Sequence, residues 1–395
     1  MNMKNNHNTC YMENKESLLI DCTYINRFFD SSNSLVIYVV NLIKGFAKYS
    51  HFQIHILVWR EKVAFIDGLL GMEVDKIIID QSDLTISWRP YYRLTGFLPK
   101  KLRKEINERH ISKVLHPFHY GVLFFFPHTI KHYGVIHDIF LYDKVKGERG
   151  KISYFIWHQY QKLLLKKFSG FISISKNTHN EFLSREGLDS EIVYNSIPFD
   201  IKIVEQPVKK ALGKRYILDV NRFQSYKNAE LLIRAFDLCK NDYPDYLYFK
   251  GDHDYEEDRL ALETLVKELG MEDKVIFDME YRTEGEMRYL YSHADLFVSP
   301  SLKEGFGWTP IEAAILKTPV LVSDIEVFRE VSCSKLTTFD PHSQEDLAKH
   351  ILEMLKNPPS EQEREEIAEF FLERYSLKNQ IEQLVSIMER DLKKK

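Results

Sequence analysis

Long apolar runs are missing from this chain. Even VLFFF at 122–126 falls far short of the roughly 20 residues that cross a bilayer. The first fifteen residues, MNMKNNHNTCYMENK, lack the apolar core of a secretion signal. Cysteine is sparse and scattered, at Cys10, Cys22, Cys239 and Cys333, with no C-x-x-C pair; a zinc finger and a disulfide framework are both excluded, and a reducing compartment fits. No internal repeat or low-complexity tract interrupts the 395 residues. Net charge is only -4, which gives no reason to expect nucleic acid as a partner. These absences leave a cytoplasmic protein that meets the inner face of a membrane peripherally, if at all.

The small net charge hides an uneven distribution. Residues 1–210 hold 29 Lys and Arg against 21 Asp and Glu, whereas residues 211–395 hold 25 against 37. The basic segment LPKKLRKEINER at 98–109 is the local candidate for an anionic surface or a phosphorylated lipid, with a solvated helix face as the plainer alternative. The length suits two domains of roughly 200 residues. Short apolar runs (SLLIDCTYI, FQIHILVW, DKIIID, ISKVLH, HYGVIH, GFISIS, SEIVYN) alternate with helical periods such as SLVIYVVNLIKGFAKY, capped by Ser32 or Ser34, and a helix near 152–168. Alternation of this kind predicts a parallel sheet. The pattern lapses over 201–213 and then resumes with RYILDV, a helix from Lys227, YLYFKG, a helix over 255–269, KVIF and a helix over 284–293. The expected organisation is α/β: an N-terminal Rossmann-like domain over 1–200, a linker over 201–213, a second such domain over 214–375, and a last helix over 376–395 that could cross back. A cleft is expected between the two sheets.

Residues 299–324, SPSLKEGFGWTPIEAAILKTPVLVSD, are the most informative stretch. They read as a strand, a loop, a helix and a strand, with Glu304 and Glu312 separated by seven residues. Gly305 and Gly307 let backbone approach a ligand closely, and Pro310 suits the first position of a helix. N–H groups at that helix start, those of Phe306 and Gly307 included, would face an anion. Thr309-x-x-Glu312 also spells a capping box, in which the carboxylate bonds back to the Thr309 N–H. His137 and Asp138 end a predicted strand. The histidines at 116, 119, 128, 132 and 137 match no zinc spacing.

The Glu-x7-Glu segment resembles the signature of the retaining glycosyltransferases with the two-domain GT-B fold, family 4, also called glycosyl transferases group 1. Three further blocks are similar to that family in the right order: GVIHDIF at 134–140, GFISISKNTHNEFL at 170–183, and YILDVNRFQSYKNAELLIRAF at 216–236. The His-Asp block most resembles the mannosyltransferase-like branch. The resemblance implies that Arg222 and Lys227 stabilise a departing diphosphate and that Glu304 contacts the donor sugar beside His137. It implies that Glu312 grips the ribose, that Gly305, Phe306, Gly307 and Thr309 line the nucleotide sugar, and that Asp138 lies on the acceptor side. No metal is implied. Asp252-His253-Asp254 looks like a metal-binding Asp-x-Asp but falls where the family has a glycine-containing loop. Ser32-Asn33-Ser34 replaces the family's first-domain glycine pair, so Asn33 and Ser34 stand at the acceptor turn without the freedom of glycine.

The expected activity is metal-independent transfer of a sugar from a nucleotide diphosphate sugar to a glycan or a polyprenyl-linked glycan, with retention. Two other readings are open: a catalytically silent nucleotide-sugar-binding subunit, and a nucleotide-sugar epimerase of the same architecture. Tyr281 and Arg282, after KVIF, are candidates for the base pocket.

Overall fold

A computed structural model describes residues 16–25, 34–80, 96–97, 100–119, 124–125, 129–138, 158–159, 162–197, 203–242 and 246–390. In chain order the strands are β1 (Ser17–Asp21), β2 (Gln53–Trp59), β3 (Asp75–Ile79), β4 (Gly96–Phe97), β5 (Ile111–His116), β6 (Phe124–Phe125), β7 (Lys131–Ile136), β8 (Gly170–Ser173) and β9 (Glu191–Ile192). They continue with β10 (Tyr216–Val220), β11 (Tyr246–Lys250), β12 (Val275–Asp278), β13 (Leu296–Ser299), β14 (Val320–Ser323) and β15 (Thr337–Phe339). One sheet has the order β3-β2-β1-β5-β7-β8-β9 and a second the order β12-β11-β10-β13-β14-β15, while β4 and β6 form a separate pair. The pairings that fix these orders are parallel. Parallel strands are buried on both faces, which is why the runs read in sequence as apolar throughout instead of alternating: SLLID and LFVS are buried at every position.

By compactness the chain divides into two units, residues 1–134 with 167–169 and 391–395, and residues 135–166 with 170–390. In the first unit the helix Ser34–Tyr49 buries Val36, Val39, Val40, Ile43 and Phe46, one face at helical spacing. Two histidines at its sheet are hydrogen-bonded to each other. His116 Nδ1 lies 3.0 Å from Asp21 Oδ2, and His116 Nε2 lies 3.0 Å from His132 Nδ1. Burial, with His116 and then Lys167 nearby, pushes His132 down to about 3, so it stays neutral and hydrogen-bonded. His128 falls outside the described residues. On the helix Lys100–Glu108 and just past it, three cations face carboxylates: Arg109 pairs with Asp75 and Glu105, Lys104 with Glu108, and Lys101 with Asp80.

In the second unit the six-stranded sheet carries a core that includes Ile217, Phe236, Leu247, Phe249, Leu296 and Leu321, all fully buried. The terminal helix Leu377–Glu389 buries Ile381, Leu384 and Met388, and Arg390 beyond it pairs with Glu191 of β9 at 3.5 Å.

Candidate active site

Strand order in the second sheet reverses at its centre. From β10 the chain winds one way through β11 and β12, and from β13 it winds the other way through β14 and β15. Loops leaving the carboxyl ends of β10 and β13 therefore diverge from neighbouring strands and leave a crevice, the usual place for a ligand in an open α/β sheet. The first loop, 221–228, holds Arg222 and Lys227; the second, 300–307, holds Glu304, Gly305 and Gly307. Residues about eighty positions apart in sequence thus meet across one strand spacing.

The meeting is direct. Lys227 Nζ donates to Glu304 Oε1 at 2.6 Å, and the Ser301 hydroxyl donates to the same oxygen at 2.8 Å. Both side chains of the pair are mostly shielded, at 19% and 12% exposure. Arg222 is placed differently: its Nε lies 3.0 Å from Asp252 Oδ2 and its terminal nitrogen 3.8 Å from Asp254 Oδ2. The Asp-His-Asp turn is therefore a counter-charge to an arginine in this structure.

Two glycines are required where they stand. A Cβ on Gly305 would lie 2.3 Å from the His137 carbonyl oxygen, so the loop passes directly over the end of β7. On its other side the Gly305 carbonyl accepts from the Ser175 hydroxyl at 2.7 Å and the Thr178 hydroxyl at 3.3 Å. Ser175 also caps the helix Lys176–Glu186, whose first N–H groups at Lys176 and Asn177 donate to Glu330. Gly307 has φ +80°, and a Cβ there would strike the Phe328 ring at 2.5 Å. Phe306, 4% exposed, packs edge-on to Tyr375 at 5.3 Å and anchors the loop through its side chain, leaving its backbone for any ligand. Trp308 is anchored as well: its indole N–H donates to the Ser196 carbonyl at 3.1 Å.

The capping box does not form. The helix runs Trp308–Ile315 with Gly307 as its N-cap and no side-chain cap, so Thr309 is its second residue and Pro310 its third. The left-handed conformation of Gly307 starts the helix early. Half-buried Glu312 instead accepts from the Tyr291 hydroxyl at 2.6 Å. Burial pushes the Glu312 carboxyl up to about 7, against the Tyr291 hydrogen bond that favours its charged form. One of its oxygens is committed to Tyr291; the other has no hydrogen bond to Thr309.

His137 is buried and Asp138 half-buried after β7, both in the same compact unit as Lys227 and Glu304. Ser34, exposed, opens the first helix of the other unit, and Asn33 lies outside the described residues. Arg282 is spoken for: it donates to both oxygens of Asp278 at 2.8 and 2.9 Å and to Glu286 at 3.2 Å, and Asp278 also accepts from Tyr248. Tyr281 beside it is 66% exposed.

Three residues of the site escaped the sequence reading. Asp219, buried on β10, is pushed up to about 8 by burial, with Asn221 and Lys227 acting against that and Glu304 adding to it. Its signal was a carboxylate inside the apolar run YILDV. Tyr291 and Ser175 carry no local signal, since their roles depend on partners 21 and 130 positions away.

Residues 200–370 match the family model described as Glycosyl transferases group 1. Among curated proteins, the O-antigen chain mannosyltransferase RfbU of Salmonella typhimurium is 32% identical over 173 residues, 43% of this chain and 46% of that one. Mannosylfructose-phosphate synthase of Agrobacterium fabrum is 33% identical over 151 residues, 36% and 33% of the two chains. This chain thus spans less than half the length of either relative. Over nearly the whole chain the fold is that of a glycosyltransferase crystal structure from Rickettsia africae: TM-score 0.69, 16% identity, 97% of this chain and 100% of that one. It is also that of Anabaena HepE in complex with UDP and glucose: TM-score 0.67, 15% identity, 94% and 99%. The architecture is GT-B, two Rossmann-like parallel sheets, and residues 200–370 match the glycosyl transferases group 1 model.

Proposed function

We propose that this protein is a retaining, metal-independent glycosyltransferase. It moves a sugar, of the mannose type, from a nucleotide diphosphate sugar to a glycan or lipid-linked glycan of a surface polysaccharide. The observation that carries the reading is the Lys227–Glu304 contact at 2.6 Å, where the two loops of the switch point converge. A fixed cation and a fixed carboxylate at one strand-end crevice suit a donor with an anionic leaving group joined to an electron-poor anomeric carbon. Relatives that share this half of the chain include mannosyltransferases of O-antigen chains.

In this reading Lys227 and Arg222 stabilise the negative charge that grows on the leaving diphosphate, a contribution worth on the order of 3 kcal/mol per donor when the donor is fixed in advance. Glu304 faces the sugar, where its charge opposes the cationic character developing at the ring. The free oxygen of Glu312 takes a ribose hydroxyl. Gly305, Phe306, Gly307 and Thr309 offer backbone to the donor, and the His137 carbonyl and side chain bound the sugar from the other side. Asp138 serves the acceptor. Attack from the face that the diphosphate leaves, with the phosphate accepting the hydroxyl proton, accounts for retention without a protein nucleophile. Among the described residues no helix is long and apolar enough to cross a membrane.

The test is transfer from UDP- and GDP-sugars by purified protein, with and without EDTA, repeated for Lys227→Ala and Glu304→Ala. Transfer that survives EDTA and collapses in both variants supports the reading. Loss with EDTA defeats metal independence, and unchanged turnover in both variants defeats the site.

A further inference from the structure

The Asp252-His253-Asp254 turn has no part in the reading above, yet it is built against the loop that carries Arg222. It follows β11, the sheet neighbour of β10, and the two loops interlock. Gln224 Nε2 donates to the Tyr255 hydroxyl at 2.7 Å, and the Tyr226 hydroxyl donates to Gln224 Oε1 at 2.6 Å. The Phe223 ring fills the space over Gly251, where a Cβ would approach it to 2.2 Å. Phe223 and Tyr255 both hold left-handed backbone, φ 60° and 59°. Large side chains adopt that region only where the surroundings enforce it, and such positions cluster at working sites.

Asp252 is thus presented to Arg222 by a rigid scaffold. The contact itself is a charge pair: Nε and Oδ2 are 3.0 Å apart without the alignment of a hydrogen bond. Both side chains are about one third exposed, 36% and 34%. Burial pushes the Asp252 carboxyl above its ordinary range even beside the guanidinium, so Arg222 does not repay the carboxylate for its lost water. Such a pair exchanges readily. The second cation repeats the arrangement, since Lys227 is held by Glu304. Both positive groups are thus balanced by carboxylates of the same chain.

We propose that Asp252 is a standing counter-ion of Arg222 that the diphosphate must displace, so that it weakens the grip on nucleoside diphosphate and hastens release of that product. The proposal rests on Arg222 binding phosphate, as in the function proposed above. In this proposal Asp252 acts through Arg222 and tunes affinity. Asp252→Asn removes the charge while keeping the oxygen that accepts the Asp254 N–H at 3.0 Å, so the turn retains its internal bond.

The experiment is calorimetric titration of UDP and GDP into the full chain at low and high salt. The variants are Asp252→Asn, Asp252→Ser, Asp254→Asn, Arg222→Gln and the double variant Asp252→Asn with Arg222→Gln, each checked by melting. Asp252→Asn should tighten binding about three- to tenfold, in keeping with a partly exposed ion pair, and steepen the salt dependence. Asp254→Asn should do less, as the more distant charge. In the Arg222→Gln background the gain should vanish. In steady-state transfer, inhibition by the diphosphate product should strengthen in Asp252→Asn. Asp252→Ser tests the same point should the first variant not fold. Binding that is no tighter in either 252 variant, while Arg222→Gln still weakens it, overturns the counter-ion role and leaves the donor site standing. A gain that persists without Arg222 overturns it too. Failure of Arg222→Gln to weaken binding defeats the donor-site reading instead.

Discussion

Replacing Gly305 by alanine puts a methyl group 2.3 Å from the His137 carbonyl oxygen, where ordinary contact begins near 3.4 Å. About 1 Å must be opened. The strand end cannot supply it, because β7 is a buried parallel strand paired with β5. The opposite direction is obstructed as well, since Ser175 and Thr178 both hold the Gly305 carbonyl. Displacement therefore falls on the loop 300–307, and its first casualty is Glu304, the adjacent residue, with its 2.6 Å bond to Lys227. Overpacking of this kind costs about 1–3 kcal/mol, a drop in melting temperature of about 2–12 °C. A shift of about 1 Å at a reacting group costs on the order of a hundredfold in rate. The assays are a thermal melt and transfer from the donor that the protein accepts. Gly68→Ala is the control: like Gly305 it has no left-handed backbone, but nothing lies within 4 Å of the added carbon, so it should leave turnover intact. Gly305→Ala that melts and turns over like the parent would refute the close approach of this loop to β7, and with it the placement of Glu304.

Lys227→Ala removes the ammonium on Glu304 and, in the proposed function, one diphosphate ligand; turnover should fall about 10²- to 10³-fold, and a loss under twofold in steady-state transfer speaks against the assignment. Glu312 has a carboxyl raised from 4.5 to about 7, so the stability it contributes is fully present below pH 4.5 and is lost as the pH climbs through 7. That loss is at most about 3 kcal/mol. Glu312→Gln keeps an acceptor for Tyr291 and cannot ionise, so melts across that range should show it gaining on the parent as the pH rises; parallel curves contradict the burial of this carboxyl. Ser175→Ala deletes a helix cap and a bond to Gly305, with an expected cost of about 1 kcal/mol in denaturant unfolding and a smaller rate loss than Gly305→Ala. A variant with parental stability and rate removes Ser175 from the support of the loop. Phe236, fully buried in the second core, should cost about 3–5 kcal/mol as alanine without a specific effect on donor affinity.

Periodicity and breakers made most strands and helices legible, because a buried parallel strand is a short apolar run and an amphipathic helix keeps a face of regular spacing. The segment DLFVSPSLKEGFGWTPIEAAI was readable as strand, loop and helix for that reason. Its capping was not. Gly307 takes left-handed backbone at the N-cap, a conformation open to glycine almost without cost, and that choice starts the helix at Trp308 and strips Thr309-x-x-Glu312 of its capping role. Arg282 looked available as a candidate for a base pocket because Asp278, which captures it, is written as the end of an ordinary strand.

The amino-acid sequence by itself determined the α/β architecture, the paired sheets and the residue types at the switch point, since these follow from local spacing and composition. Which charges meet was decided only by the tertiary structure. Lys227 finds Glu304 across 77 positions, Arg222 is balanced by Asp252, and Glu312 turns to Tyr291, because sheet order sets which loops are neighbours. Electrostatic partnership and burial depend on distance in space, and a parallel sheet with crossover helices separates that distance from distance along the chain.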